Sequence, residues 1–147
     1  RIFCKKNVKK SISYKEKTRL EDIKKFIKRV EKNKKTCLSF IKKCNNKGEK
    51  VFLYGASTKG NTLLQYYGID SKMISFASER SPEKLGKYTI GSGLKIISEK
   101  AARKLNPKYF FVMPYAFIKE FIIRENKWLE KGGKFILPYP NFKVLKK

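Results

Sequence analysis

Apolar residues recur at steps of three and four along the first third of the chain: Leu20, Ile23, Phe26, Ile27, Val30, Cys37, Leu38, Ile41 and Cys44. That spacing lays a single apolar stripe along a helical surface. It predicts one amphipathic helix, or a helix pair with a weak turn near Lys34, ending at Asn46-Lys47-Gly48. Gly48 suits the left-handed position past a helix end. Ahead of the stripe, Arg1-Ile2-Phe3-Cys4 has strand character, and the polar run KKNVKKSISYKEKT behind it shows no clear period.

Beyond Gly48 the pattern changes to short apolar runs alternating with helical stretches. Strands are expected at 51–54, 73–77, 94–97, 109–113 and 135–137, with 142–145 as a candidate last strand. Helices are expected at 61–67, closed by Gly68, and from Ser98-Glu99 to Asn106-Pro107. A third is expected at 114–130, with Phe117, Phe121, Ile122 and Trp128 facing inward and Gly132-Gly133 closing it. Residues 81–93 read as a loop rich in Gly, Ser and Pro. Strands alternating with helices over short connections imply a parallel sheet covered on both faces. The expected fold is therefore α/β: a Rossmann-like three-layer sandwich with a mostly parallel sheet over residues 51–147. A strand remnant and a helical lead-in would occupy residues 1–50.

Composition narrows the classes. The 147 residues suffice for about one domain with a real core, and 41% hydrophobic with 14% aromatic content argues against disorder. No apolar run is long enough to span a membrane, so no membrane partner is expected. Cys4, Cys37 and Cys44 form no CxxC pair and the chain has no histidine, which argues against a zinc site and removes the commonest general base. Cys37 and Cys44, seven apart on the helical stripe, read as small core residues, and the cysteine usage suits a reducing cytoplasm.

A net charge of +25 raises the question of nucleic acid. The basic set is 31 Lys against 6 Arg, however, and arginine is the residue that reads phosphates and bases bidentately. The charge is also spread evenly: residues 1–50 carry a net +14 and residues 51–147 a net +11. This pattern favours a lysine-solvated surface, and a nucleic-acid partner is not expected. A free-standing basic nucleic-acid-binding module stands as the alternative reading.

The chemistry concentrates at VFLYGASTKGNTLLQYYGI, residues 51–69. In open parallel sheets ligands sit beyond the carboxyl ends of the strands, and the turn 55–61 lies at that edge. Gly55 and Gly60 would admit a ligand close to the backbone, and amides at a helix start favour an anion. Ser57, Thr58 and Asn61 add neutral donors and Lys59 a point charge, a set suited to a diphosphate. A Walker A loop is excluded because Asn61-Thr62, not Lys-Ser/Thr, follow Gly60. The dinucleotide fingerprint fails because Ser57 stands at its second glycine. No acidic pair is evidently placed for Mg²⁺, so an independent NTP-using enzyme is the weakest reading.

Several stretches together resemble one domain type: GASTKGNTLLQYYGI, then Glu79-Arg80, PEKLGKYTIGSGLKIIS and KGGKFILPYP. The chain resembles the C-terminal domain of SAM-dependent C-methyltransferases that act on nucleotide-linked deoxysugars. The resemblance runs over nearly the whole chain, and its most specific element is the unbroken stretch from Gly55 to Ile69. It implies that this chain is part of a longer enzyme. In such enzymes a separate upstream domain binds SAM and carries the catalytic base, so no cofactor and no catalytic residue are expected here. The implied partners are a nucleotide-diphosphate sugar and that upstream domain. The resemblance implies that Gly55, Ser57, Thr58, Lys59, Gly60 and Asn61 line the substrate cleft, with Glu79 and Arg80 at the next strand's edge and Pro114 and Tyr115 on the same rim. The chain departs from the family's pattern at Tyr115-Ala116, where the family tends to have Trp-His, and around Ile90 and Gly93-Leu94-Lys95-Ile96.

Overall fold

A computed structural model describes residues 19–147. The strand expected at residues 1–4 lies outside the described residues. Six strands form one sheet: β1 (Val51–Tyr54), β2 (Phe76–Glu79), β3 (Lys95–Ser98), β4 (Tyr109–Val112), β5 (Lys134–Leu137) and β6 (Lys143–Leu145). Their order across the sheet is β3-β2-β1-β4-β5-β6. All neighbours pair in parallel except β6, which runs antiparallel to β5 at the edge. The helices are α1 (Leu20–Asn46), α2 (Thr58–Tyr67), α3 (Glu99–Lys104), α4 (Ile118–Arg124) and α5 (Asn126–Glu130). The chain has the expected Rossmann-like α/β fold with an N-terminal helix.

Alternation along the central strands explains why β1 and β4 read as unbroken apolar runs. Val51, Leu53, Tyr109 and Phe111 pack with Cys37, Ile41, Leu64 and Tyr67 of α1 and α2. Phe52, Tyr54, Phe110 and Val112 pack on the other face with Phe121, Trp128 and Leu129 of α4 and α5. Both faces are covered, so both sets of side chains are apolar.

Helix α1 is continuous over 27 residues, with no turn at Lys34. Only its second half joins the core, through Cys37, Ile41 and Cys44, and burial pushes the Cys37 thiol up to about 12. Buried Asn33 fastens this half to the C-terminal segment. Its Nδ2 donates to the Pro140 carbonyl at 2.7 Å, and its Oδ1 accepts from the Phe142 amide at 3.4 Å. Leu20, Ile23, Phe26 and Ile27 continue the stripe but stand exposed.

Three boundaries differ most from expectation. Strand β2 begins at Phe76, not residue 73, because Asp70 caps a turn there. Its carboxylate accepts from the amides of Lys72 (3.0 Å) and Met73 (3.3 Å), holding both out of the sheet. Helix α2 begins at Thr58 rather than residue 61, with Ser57 as its cap. The single helix expected at 114–130 is instead a 3₁₀ turn (Tyr115–Phe117) followed by α4 and α5, broken at Glu125. Phe121 and Trp128 are buried, while Ile122 and Phe117, in the 3₁₀ turn ahead of α4, are exposed. At the end of α5, Gly133 lies under the Trp128 ring, where an added Cβ would fall 2.2 Å from the indole.

The split character of α1 and the two-sided sheet make a contrast measurable by urea unfolding. Phe111→Ala, in the fully buried centre, is expected to cost about 3–5 kcal/mol. Ile23→Ala, on the exposed half of α1, should stay within about 0.5 kcal/mol of the parent.

Candidate functional site

The strand order reverses between β1 and β4. The chain leaves β1 toward α2 on one face and leaves β4 toward α4 on the other, so a crevice opens at their carboxyl ends. The β1–α2 turn forms one wall of it. Gly55 adopts φ +84°, and a Cβ there would meet Pro114 Cδ and Cγ at 3.0 Å, so the turn lies directly on the end of β4.

The turn is held by Glu79, at the end of β2. One carboxylate oxygen accepts from the Ala56 amide at 3.0 Å; the other accepts from the amides of Arg80 at 2.7 Å and Ser81 at 3.2 Å. Lys84 Nζ completes the clasp, donating to the Ala56 carbonyl at 3.2 Å and lying 3.5 Å from Glu79. Partial burial pushes the Glu79 carboxyl upward, but the Ser81 and Arg80 amides, Lys84 and the Ala56 amide together outweigh it. The net effect holds it below the usual carboxylate range.

Not every amide of the turn is free. The Gly60 amide donates to Ser57 Oγ at 3.1 Å, the Asn61 amide to the Ser57 carbonyl at 3.2 Å and the Gly55 amide to the Ser78 carbonyl at 2.9 Å. Among the described residues no acceptor reaches the amides of Ser57, Thr58 and Lys59, which sit at the start of the ten-residue α2. They border open space.

Two cavities flank this point. One, about 310 Å³, is lined by Gly55, Ser57, Ser78, Glu79, Arg80, Lys84 and Pro114, with Tyr54, Glu99, Phe117, Glu120, Phe121 and Arg124 closing it. The other, about 530 Å³, is lined by Ser57, Thr58, Lys59, Met113, Pro114, Tyr115, Ala116, Phe117 and Tyr139. Ser57, Pro114 and Phe117 belong to both, so the two are halves of one cleft that meet at the turn.

Of the ten residues expected at the site, eight line this cleft. Gly60 and Asn61 line neither half. Gly60 is a packing glycine: a Cβ there would lie 3.1 Å from Met113 and 2.9 Å from Ser57 Oγ, so it brings α2 close to the end of β4. The Asn61 Oδ1 is buried, with no partner among the described residues. Glu79 and Arg80 do not pair with each other; Glu79 binds backbone, while Arg80 Nη1 lies 3.7 Å from Glu120.

Beneath the first half lies an ionic network that sequence reasoning missed. Buried Glu125 accepts from the Tyr54 hydroxyl at 2.7 Å and from Arg103 Nε at 2.8 Å. Arg103 also reaches Glu99 at 3.0 Å, and Arg124 contacts Glu99 (3.3 Å), Glu120 (3.2 Å) and the Tyr54 hydroxyl (3.1 Å). Burial, the Glu125 hydrogen bond and its charge all push the Tyr54 hydroxyl pKa upward, so it stays a phenol. Three of the chain's six arginines, Arg80, Arg103 and Arg124, lie in this cluster. In a chain that otherwise uses lysine, that choice was the available signal, because a forked guanidinium can bridge two carboxylates and an ammonium cannot do so in a fixed plane.

Because the Glu79 carboxyl is held low, the stability it contributes is fully present above its unfolded pKa of about 4.3 and is lost as pH falls through the folded value. Glu79→Gln is therefore expected to lower the urea midpoint at pH 7 and to lower it less at pH 3. A parallel shift at both pH values would contradict the clasp.

Residues 4–140 match the model of the C-methyltransferase C-terminal domain family. The chain is similar to the C-methyltransferase NovU of Streptomyces niveus, with 37% identity over 98 residues, which is 67% of this chain and 23% of that protein. The chain thus spans about a quarter of the length of the curated relative it matches. With the match running from the end of the first expected strand through the cis Tyr139-Pro140 segment, the chain belongs to the C-methyltransferase C-terminal domain family.

Proposed function

We propose that this chain is the nucleotide-sugar-binding part of a SAM-dependent sugar C-methyltransferase. It would supply the cleft for the diphosphate sugar, while the methyl donor and the catalytic base come from another part of the enzyme. The observation that carries this reading is the cleft itself: two compartments joined at a helix start where the Ser57, Thr58 and Lys59 amides have no acceptor among the described residues, with the Lys59 side chain beside them. A ligand with two bulky ends and an anionic centre suits that shape. Partial positive charge at the helix start and the Lys59 ammonium both favour the diphosphate.

The residues do not fit SAM at this edge. A dinucleotide-type site needs a second glycine where Ser57 stands, and a free acidic side chain at the end of β2 for the adenosine ribose. Glu79 occupies that position, but its carboxylate is committed to three backbone amides and Lys84. On this reading the protein works in the cytoplasm, where nucleotide sugars are made. Among the described residues no helix is long and apolar enough to cross a membrane.

Isothermal titration of the 147-residue chain with UDP-glucose, as a probe nucleotide sugar, tests the reading. Lys59→Ala should weaken binding about tenfold, the effect of losing one hydrogen bond to a charged group. Lys59→Arg should keep most of it. No heat from the parent chain, or a Lys59→Ala variant as tight as the parent, would refute the phosphate assignment.

A further inference from the structure

The two halves of the cleft differ in chemistry, and the difference gives the ligand a direction. The larger half has one charged group, Lys59, at its edge; the rest of its wall is mostly Met113, Pro114, Tyr115, Phe117 and Tyr139. Tyr115 and Tyr139 meet edge to face at 4.7 Å between ring centres. The Tyr139 hydroxyl is tied to the Met113 carbonyl, which fixes its ring. Tyr115 and Phe117 are exposed. Such a wall offers flat apolar surface and few polar groups, which suits a planar base.

The smaller half is charge-balanced. Glu79, Glu99 and Glu120 face Arg80, Lys84 and Arg124, so it adds no net charge to attract a phosphate. It is rich instead in groups that bind hydroxyls. Arg80 is loosely held, with Glu120 at 3.7 Å as its described ion-pair partner.

Ser78 supplies a separate observation. It is 1% exposed, lines this half, and its Oγ has no hydrogen-bond partner among the described residues. It lies two residues beyond Phe76 on β2 and opposite Tyr54 on β1, so it belongs to the face that forms the cavity floor. An unpaired buried hydroxyl destabilises a fold, and a partner arriving with the ligand, directly or through one water, removes that cost.

We infer that the smaller half binds the hydroxyls of a sugar ring, with Ser78 at its floor and Arg80 at its rim, while the base lies against Tyr115 and Phe117 in the larger half. This rests on the nucleotide-sugar reading above and adds the orientation. Both the ribose and the appended hexose carry such hydroxyls.

The test uses the 147-residue chain with UDP-glucose, UDP and dUDP as probes, and reads affinity and thermal midpoint together. Ser78→Ala should leave the unliganded midpoint unchanged or raised, since only an unpaired hydroxyl is lost, yet weaken UDP-glucose binding roughly three- to tenfold. Arg80→Ala should weaken it comparably. If these losses appear with UDP and UDP-glucose alike, and dUDP binds more weakly than UDP, the ring is the ribose. If they appear with UDP-glucose alone, it is the hexose. If Lys59→Ala weakens every probe while Ser78→Ala and Arg80→Ala weaken none, the orientation is overturned and the nucleotide-sugar reading stands. A lower midpoint in unliganded Ser78→Ala would also overturn it, because the hydroxyl would then serve the fold. A parent chain that binds none of the probes removes both.

Discussion

Two adjacent parallel strands, β1 and β4, send their following segments to opposite faces of the sheet, and nothing in the sheet itself fills the gap this leaves at their carboxyl ends. The cleft, its two halves and the exposed start of α2 all follow from that divergence. A sheet with its helices on one side would cover the same edge with its own connections. Here the β1–α2 turn and the Pro114–Phe117 segment face each other across the opening, in contact where Gly55 meets Pro114.

An opening of this kind is useful only if its walls keep their shape. The clasp of Glu79 and Lys84 on the backbone of Ala56 does that for one wall, using charge-assisted hydrogen bonds to both the amide and the carbonyl of one residue. The Glu125 network does it for the other, by tying α3 and α4 to the Tyr54 hydroxyl on β1. Leaving Glu125 buried and unpaired would be costly. The ionic groups of this network hold the walls together, whereas Ser57, Thr58, Lys59 and Arg80 line the cleft.

The +25 net charge has little to do with this arrangement. Lysines surround the molecule, whereas the groups that shape the cleft are mostly carboxylates and arginines in near balance. Among the described residues the Ser57, Thr58 and Lys59 amides have no acceptor, and Lys59 is the one charged side chain lining the larger half of the cleft.

The chain's pattern alone was enough for the fold class. The unbroken apolar runs at 51–54 and 109–112 need cover on both faces, and the helical periods between strands supply it. The position of the turn at the first strand's end was equally legible, because Gly55, Ser57 and Gly68 punctuate it locally. What the pattern could not give was anything that depends on distant residues meeting. Gly60 was legible as a small residue of the turn, but not that Met113, 53 positions away, would pack beside it. Glu79 and Arg80, both expected at the strand's edge, have side chains with different partners: Glu79 binds backbone and Arg80 faces Glu120. The helix expected at 114–130 is broken at Glu125, whose carboxylate serves Tyr54 and Arg103, a bond across 71 positions in one case. Local propensity and periodicity are set by near neighbours, so the sequence determined elements, faces and the site's edge. Burial, charge pairing and cavity shape arise only when separate segments pack, so tertiary structure alone decided which side chains hold the cleft and which are free to use it.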